Sequence, residues 1–402
     1  MKSILLLTTI YPSPDINIAN NTNVVHYFVR EWVKLGYDVR VVFNYPIYLR
    51  ILHWGAALCT NLLASRFNTS VTVHYTDKDY AFEMDGVKVI RMPLFKPLPH
   101  GAVPKKRLHR QVNKIHKYLS DENFVPDVIV AHNFYPHIPM VNELHDRFYP
   151  KTKTTIVIHK QNLKMLNLIE NKDGQIDKID LWGYRSMPLK KEFEEVAGKR
   201  KNHFMCYSGI PAAFLKEKIE RNFAEPISRF VYVGSFITRK HTDKILEALH
   251  QLGKPFYIDL VGEGANRKKL EKMVGSYGLW NNVTFYGFLP RRQIPSIVKQ
   301  AECFVMISEE ETFGLVYLEA MAMGCLTIAS SGEGMDGIIV NGENGFLCKA
   351  GDTQGLVAII RRIDTLNSEE KNRISQNARQ TALRLTDAEV AKIYAESLFD
   401  GL

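Results

Sequence analysis

Residues 307–330, ISEEETFGLVYLEAMAMGCLTIAS, decide the fold class of this chain. An apolar run ends at Ser308 and an acidic loop follows. A helix is predicted from about Gly314 to Met323, and Gly324 ends it before the next apolar run. A strand, a short loop, a helix and a second strand in this order are typical of a parallel sheet with helices on both faces. The segment therefore predicts an α/β protein.

The same alternation extends over most of the 402 residues and falls into two series. In both series, short β-rich apolar runs alternate with helical patterns. Two series predict two Rossmann-like, doubly wound parallel-sheet domains, with ligands at the carboxyl ends of the strands. The strands are predicted at 4–9, 38–43, 88–92, 127–132 and 154–159, and then at 230–234, 257–262, 283–287, 303–308 and 326–330.

Charge and cysteine content narrow the class of protein further. The net charge is +9, and residues 1–210 carry all of this positive excess. We therefore expect an anionic partner for that half, and no nucleic acid. The five cysteines are widely spaced without a C-x-x-C pair, which is typical of reduced thiols in a cytoplasmic protein. The opening run reads as a buried strand rather than a signal peptide.

The acidic loop and the helix start offer groups that suit a phosphorylated sugar. The N–H groups of Gly314, Leu315 and Val316 are donors for a phosphate, and the helix dipole favours negative charge there. Glu311 lies in the loop, where it can accept hydrogen bonds from sugar hydroxyls. Glu319 lies one to two turns into the helix, where its carboxylate can accept hydrogen bonds from both hydroxyls of a ribose.

The composite E-T-F-G-L-V-x-L-E-A-M-A-x-G, which includes Phe313, resembles the donor-site signature of glycosyltransferase family 4. The family consists of retaining enzymes with the GT-B architecture, in which two Rossmann-like domains face a central cleft. The resemblance implies an acceptor-side domain over 1–210 and a nucleotide-sugar domain over 211–385. It also implies a C-terminal helix over 386–402 that packs back on the first domain.

The implied reaction is transfer of a sugar from a UDP- or GDP-sugar to an acceptor hydroxyl, with retention and without a metal. The implied setting is bacterial surface polysaccharide or glycolipid biosynthesis. Two alternatives stay open: a GT-B nucleotide-sugar epimerase, and a non-catalytic GT-B subunit that binds a partner enzyme or a glycan.

Segment 230–249 resembles the family's first strand, loop and helix of the donor domain. In the family, a lysine at the place of Lys240 and usually an arginine at the place of Ser235 neutralise the diphosphate. The arginine is missing here, and the sequence leaves open whether Arg239 replaces it. Similar turns imply that further backbone positions surround the nucleotide, namely Gly234, Gly262, Gly287, Phe288 and Leu289.

The first half matches the family less closely. His159 follows a predicted strand, as does a family histidine that faces the sugar donor, so it joins Glu311 and Lys240 as a catalytic candidate. The family's Gly-rich turn after the first strand is absent. We expect Asn21 and Thr22 to supply side-chain and N-cap groups in its place.

Two further patterns carry no assignment. GEGMDG (332–337) matches the dinucleotide fingerprint G-x-G-x-x-G, but no helix is predicted to open there. DKD (77–79) matches the metal-binding D-x-D of another glycosyltransferase architecture. A chain with 18 aspartates contains about one such match by chance, so we assign no metal.

Two segments of the first half predict a membrane contact. Segment 104–118 is basic without an acidic residue, and segment 48–67 is apolar around most of a possible helix. Together they fit an anionic membrane surface and a lipid-linked or other glycan acceptor, with the enzyme on the inner face of the cell membrane. A solvated basic face beside a core helix fits the same residues.

Overall fold

The computed structural model of the protein describes residues 1–16, 22–54, 74–98, 101–160, 163–216 and 221–400. The chain divides into two compact units. The first comprises Met1–Arg185, Leu189–Cys206 and Ala388–Leu402, and the second comprises Ser186–Pro188 and Tyr207–Asp387.

The described residues of the first unit form an eight-stranded sheet in the order β3-β4-β2-β1-β5-β6-β7-β8. Neighbouring strands are parallel except β3 and β4, which form an antiparallel hairpin at one edge. The strands are β1 (Ser3–Thr8), β2 (Asp38–Ile47), β3 (Tyr80–Met84), β4 (Val87–Phe95), β5 (Val128–His132), β6 (Lys153–Ile158), β7 (Leu181–Tyr184) and β8 (His203–Met205).

The second unit contains a six-stranded parallel sheet in the order β11-β10-β9-β12-β13-β14. Its strands are β9 (Arg229–Val233), β10 (Tyr257–Val261), β11 (Val283–Gly287), β12 (Cys303–Val305), β13 (Leu326–Ser331) and β14 (Phe346–Lys349). Because β9 lies between β10 and β12, the loops after these strands meet at one edge of the sheet.

Helices connect the strands of both sheets. In chain order they are α1 (Val24–Lys34), α2 (Lys105–Asp121), α3 (His137–Phe148), α4 (Lys172–Asp177), α5 (Met187–Ala197), α6 (Thr242–Gln251), α7 (Arg267–Ser276), α8 (Ile294–Val298), α9 (Leu315–Ala322), α10 (Thr353–Thr365), α11 (Ser368–Leu383) and α12 (Asp387–Phe399). Among the residues with described positions, no helix has the length and apolar character needed to cross a membrane.

Burial explains why the central strands read as continuous apolar runs. Every residue of β1 is buried, because helices cover both faces of its sheet. The last helix contributes to this core: the rings of Trp32 on α1 and Tyr394 on α12 lie 4.8 Å apart, and Trp32 Nε1 donates to the Ala391 carbonyl over 2.9 Å. These contacts hold α12 against α1 within the first unit.

The predicted pair of parallel α/β sheets is confirmed, and each predicted strand corresponds to an observed one. The sequence missed β3, β7, β8 and β14, which are strands of three to five residues. The strand predicted at 303–308 ends at Val305. The chain then continues into the acidic loop, while the Met306 N–H still bonds the Ile328 carbonyl at 3.2 Å.

Candidate functional site

The loops at the carboxyl edge of the six-stranded sheet are joined to one another by backbone hydrogen bonds. The Gly234 N–H donates to Val261 O over 2.9 Å, and the Gly262 N–H donates to Gly287 O over 2.8 Å. Gly262 has a φ of +146°, and a Cβ there would lie 1.9 Å from Gly234 O. The structure therefore brings three predicted glycines together, and at Gly262 only glycine fits.

The acidic loop that follows β12 also lies at this carboxyl edge of the sheet. The Glu309 N–H donates to the Arg239 carbonyl over 2.8 Å, and Arg239 Nη1 donates to the Glu309 carbonyl over 3.2 Å. Arg239 thus fixes the backbone of the loop. The Ser235 side chain is exposed, and its carbonyl accepts a hydrogen bond from the Tyr232 hydroxyl over 3.0 Å.

Lys240 and Glu311 form an ion pair at the centre of this edge. The Lys240 ammonium, on a turn before α6, donates to the Glu311 carboxylate, and both side chains are largely buried. The Ser308 hydroxyl lies 3.3 Å from the same Glu311 oxygen and 3.1 Å from the Tyr317 hydroxyl. The candidate cation and the candidate sugar-binding acid are therefore in direct contact.

The loop after β13 holds the backbone of Glu311. The Glu311 N–H donates to a Glu333 carboxylate oxygen over 2.7 Å, and the Gly334 N–H donates to the Glu311 carbonyl over 2.9 Å. Glu310, immediately before, has a φ of +55°, which is uncommon for a residue other than glycine. The GEGMDG segment (332–337) thus holds the acidic loop in place through these hydrogen bonds, and no helix begins within it.

Helix α9 begins where the phosphate-binding start was predicted. Gly314 is its N-cap residue with a φ of +90°, and a Cβ there would lie 2.4 Å from the Tyr317 ring. The first N–H groups of a helix, here those of Leu315 and Val316, lack partners within the helix and favour an anion. Phe313 is buried just before them, with its ring 5.8 Å from that of Tyr207.

Glu319 is buried on α9 and bonded to an arginine that the sequence did not indicate. Arg291 Nε donates to Glu319 Oε1 over 2.8 Å, and a second guanidinium nitrogen contacts the same oxygen. Burial raises the pKa of Glu319, and the charge of Arg291 opposes that rise. Of the two positions predicted beside the base, Phe288 is 79% exposed and Leu289 is partly buried.

The first unit holds its candidate histidine in a separate cluster. His159 follows β6, and its Nε2 lies 2.7 Å from Nδ1 of His132, the last residue of β5. His132 Nε2 lies 3.3 Å from the Tyr394 hydroxyl of α12. Burial, together with the charge of Arg185, lowers the pKa of His159 well below its ordinary value.

The predicted replacements for a Gly-rich turn are only partly described. Thr22 is exposed, and its hydroxyl accepts from the Val24 N–H over 3.4 Å at the start of α1. Asn21 lies outside the described residues. Residues 55–67 of the predicted membrane segment do as well.

Several residues of these two separate clusters, one in each unit, were not recognised in the sequence. They are Arg291, Glu333, Ser308, His132 and Tyr394. The position of Arg291, just after the predicted base-facing segment, was the one available signal. The contacts of Glu333 and His132 depend on which strands are neighbours.

Comparison with known proteins finds a family match for the segment that forms this edge of the sheet. Residues 215–381 match the family "Glycosyl transferases group 1". EpsD of Bacillus subtilis is 31% identical over 207 residues, which cover 49% of this chain and 52% of EpsD. The amylovoran biosynthesis glycosyltransferase AmsK of Erwinia amylovora is 22% identical over 83% of this chain and 85% of AmsK. The matched part of this chain thus spans about half of the length of EpsD.

Solved structures resemble the whole chain. A crystal structure of Anabaena HepE in complex with UDP aligns over 100% of both chains, with a TM-score of 0.68 and 17% identity. This likeness, together with the two parallel sheets, identifies the GT-B fold. Within this fold, the segment that matches the glycosyl transferases group 1 family, residues 215–381, lies in the second unit.

Proposed function

We propose that this protein is a retaining glycosyltransferase that moves a sugar from a nucleotide diphosphate sugar to an acceptor hydroxyl. The observation that carries the proposal is the direct pairing of Lys240 with Glu311 beside the start of α9. This arrangement puts a cation, a carboxylate and unpaired helix N–H groups at one strand edge, within the segment that matches the family. A diphosphate and a sugar need these groups in close proximity.

Each residue has a proposed role. Lys240 and the N–H groups of Leu315 and Val316 stabilise the departing diphosphate, and Glu311 orients the sugar through its hydroxyls. Glu319 binds the ribose. His159, in the first unit, is a proposed catalytic residue, and that unit serves the acceptor. The remaining proposed donor contacts are Gly234, Ser235, Arg239, Gly262, Gly287, Phe288, Leu289, Phe313, Gly314, Asn21 and Thr22.

The proposed donor is a UDP- or GDP-sugar. HepE, solved with UDP and separately with UDP-glucose, makes the uridine nucleotide the first to test. A ligand that binds only the folded protein raises its melting temperature. We expect UDP or GDP, but not ADP or NAD, to raise that temperature. No shift with either nucleotide would contradict a donor site.

Donor turnover separates the proposed enzyme from its rivals. A transferase hydrolyses its donor slowly when no acceptor is present, whereas a non-catalytic subunit releases no nucleotide. An epimerase would change the sugar while it stays attached to the nucleotide. The assay therefore follows both nucleotide release and the configuration of the attached sugar. We also propose a metal-independent reaction, so EDTA should leave the rate unchanged.

We further propose that the acceptor is a glycan or a lipid-linked sugar at the inner face of the cell membrane, in surface polysaccharide or glycolipid synthesis. AmsK, named for amylovoran biosynthesis, is consistent with that setting. Trp54 and Ile51 are 70% and 71% exposed just beyond the end of β2. Ile47 at that end pairs with Phe95, and the Arg107 guanidinium lies 5.4 Å from the Phe95 ring centre. Apolar tips next to cations suit an anionic leaflet.

Vesicle co-sedimentation tests this surface. Wild-type protein should pellet with phosphatidylglycerol vesicles at low salt and remain in solution with phosphatidylcholine vesicles. The Trp54→Glu variant should lose the binding. Trp280→Glu changes a tryptophan of the second unit that is 58% exposed, and this variant should retain the binding. Wild-type protein that fails to pellet with anionic vesicles would contradict the membrane proposal and would leave the proposed transferase activity unaffected.

A further inference from the structure

Arg291 holds the carboxylate that we assign to the ribose. It begins the turn Arg291–Gln293, four residues after the end of β11, and reaches Glu319 on α9. Two of its nitrogens, Nε and Nη2, contact Oε1 of Glu319. The Glu319 side chain is 6% exposed, whereas that of Arg291 is 35% exposed. The guanidinium also lies 5.7 Å from the ring centre of Phe214.

The pairing solves an electrostatic problem at Glu319. A buried carboxylate without a partner becomes neutral, because desolvation penalises its charged form. Asp387 is a second acid near Glu319 and also favours the neutral form. The charge of Arg291 opposes both effects and favours the ionised carboxylate. Both hydrogen bonds of Arg291 end on Oε1 of Glu319. Because an ionised carboxylate has about four acceptor positions, these two bonds leave positions for the hydroxyls of a ribose.

We infer that Arg291 is a positioning residue for nucleotide recognition, which keeps Glu319 ionised and oriented so that it selects a ribonucleotide over a deoxyribonucleotide. The inference rests on the proposed function, since it concerns the same nucleotide. The two vicinal hydroxyls of a ribose can donate to the two oxygens of one carboxylate. A neutral carboxyl group binds this diol less well, because hydrogen bonds to a charged acceptor are about twice as strong.

Binding of ribose and deoxyribose nucleotides by the full chain tests this role. The probes are UDP and GDP with their 2′-deoxy and 3′-deoxy counterparts, measured by calorimetry. We expect the wild type to bind the ribonucleotide about tenfold more tightly than either deoxy form. Arg291→Gln should lose this preference while the deoxy forms bind about equally to both proteins. Arg291→Lys should recover part of it, because it restores the charge without the planar fork.

The neighbouring arginine provides a matched control. Arg292 is exposed on the same turn, so Arg292→Gln removes an equal charge without touching Glu319. It should retain the wild-type preference. An Arg291→Gln protein that still prefers the ribonucleotide tenfold would overturn the inference and leave the proposed function intact. Wild-type protein that binds neither UDP nor GDP would overturn the proposed function first.

A double-mutant cycle distinguishes an indirect role from a direct contact. If Arg291 acts through Glu319, then Arg291→Gln should have no further effect on ribonucleotide affinity once Glu319→Gln is present. A persistent tenfold loss in the Glu319→Gln background would show that Arg291 binds the nucleotide itself, and the positioning role would be wrong. If Arg291→Gln does not fold, the same cycle is run with Arg291→Lys, for which a full wild-type preference overturns the inference.

Discussion

The Lys240 ammonium donates a hydrogen bond to the Glu311 carboxylate, although 71 residues separate them in the chain. The pair has a consequence for the order of events at the proposed donor site. If the proposed function holds, an incoming diphosphate competes with Glu311 for the same ammonium group. We expect Lys240 to turn towards the phosphates and to release the Glu311 carboxylate, which then accepts hydrogen bonds from the sugar hydroxyls. On this proposal, donor binding exchanges one charge-assisted bond for two.

The first prediction concerns removal of the Glu311 charge. Glu311→Gln should lower turnover at least a hundredfold, since the sugar loses its charged acceptor. The same variant should bind UDP or GDP about three- to tenfold more tightly, because the nucleotide no longer competes for Lys240. Calorimetry measures the binding. Glu310→Gln removes the same charge from the exposed neighbour and should change neither quantity by more than about twofold. Weaker nucleotide binding by Glu311→Gln would contradict the competition.

The second prediction concerns the cation. Lys240→Met replaces the buried side chain by an unbranched apolar one that is one atom shorter, and it removes the charge. It should weaken binding of the nucleoside diphosphate more than tenfold and that of the monophosphate less, because we propose that the ammonium binds the terminal phosphate. Lys244→Met serves as the control, since Lys244 lies on α6 and pairs with Glu247. Equal losses for the two nucleotides would argue against a diphosphate contact.

The sequence indicated which residues to consider but could not show their pairing. Glu311, Lys240 and Glu319 were each recognised within a local pattern of strand, loop and helix. The Lys240–Glu311 pair arises because β9 and β12 are neighbours, although β10 and β11 lie between them in the chain. The spatial order of strands depends on packing over the whole sheet, and local periodicity does not encode it. The same reason explains why Arg291 and Glu333 were missed.

The third prediction concerns the hydrogen bond by which Glu333 holds the acidic loop in place. Glu333→Ala removes the acceptor of the Glu311 N–H, so Glu311 should lose its fixed position while the helix start remains. We expect kcat to fall about tenfold and KM for the donor to change less than threefold. Glu333→Gln keeps an acceptor oxygen and should recover most of the activity.

Glu343→Ala, in the exposed turn after the same loop, is the control for lost charge. It should behave as the wild type in the same transfer assay. If Glu333→Gln were as impaired as Glu333→Ala, the charge of Glu333 rather than its hydrogen bond would be what matters.

The last prediction concerns the pH dependence of stability in the first unit. Burial lowers the pKa of His137 to about 4, from an ordinary value near 6.5. Its ring bonds the Asn133 carbonyl over 3.1 Å and lies 3.3 Å from the Asn44 amide. Above pH 6.5 the histidine is neutral in both folded and unfolded states, so it does not make stability depend on pH. Below pH 6.5 the unfolded chain binds the proton first, and stability falls as the pH falls.

The size of this effect follows from the two pKa values. Between pH 7.5 and pH 5, His137 should lower the free energy of unfolding by about 2 kcal/mol. Urea unfolding at both pH values, followed by tryptophan fluorescence, measures the difference. His137→Gln should reduce the pH dependence by that amount, and His145→Gln, on the same helix α3, controls for the loss of a histidine from that helix. An unchanged pH dependence in His137→Gln would mean that His137 takes up its proton in the folded protein as readily as in the unfolded chain.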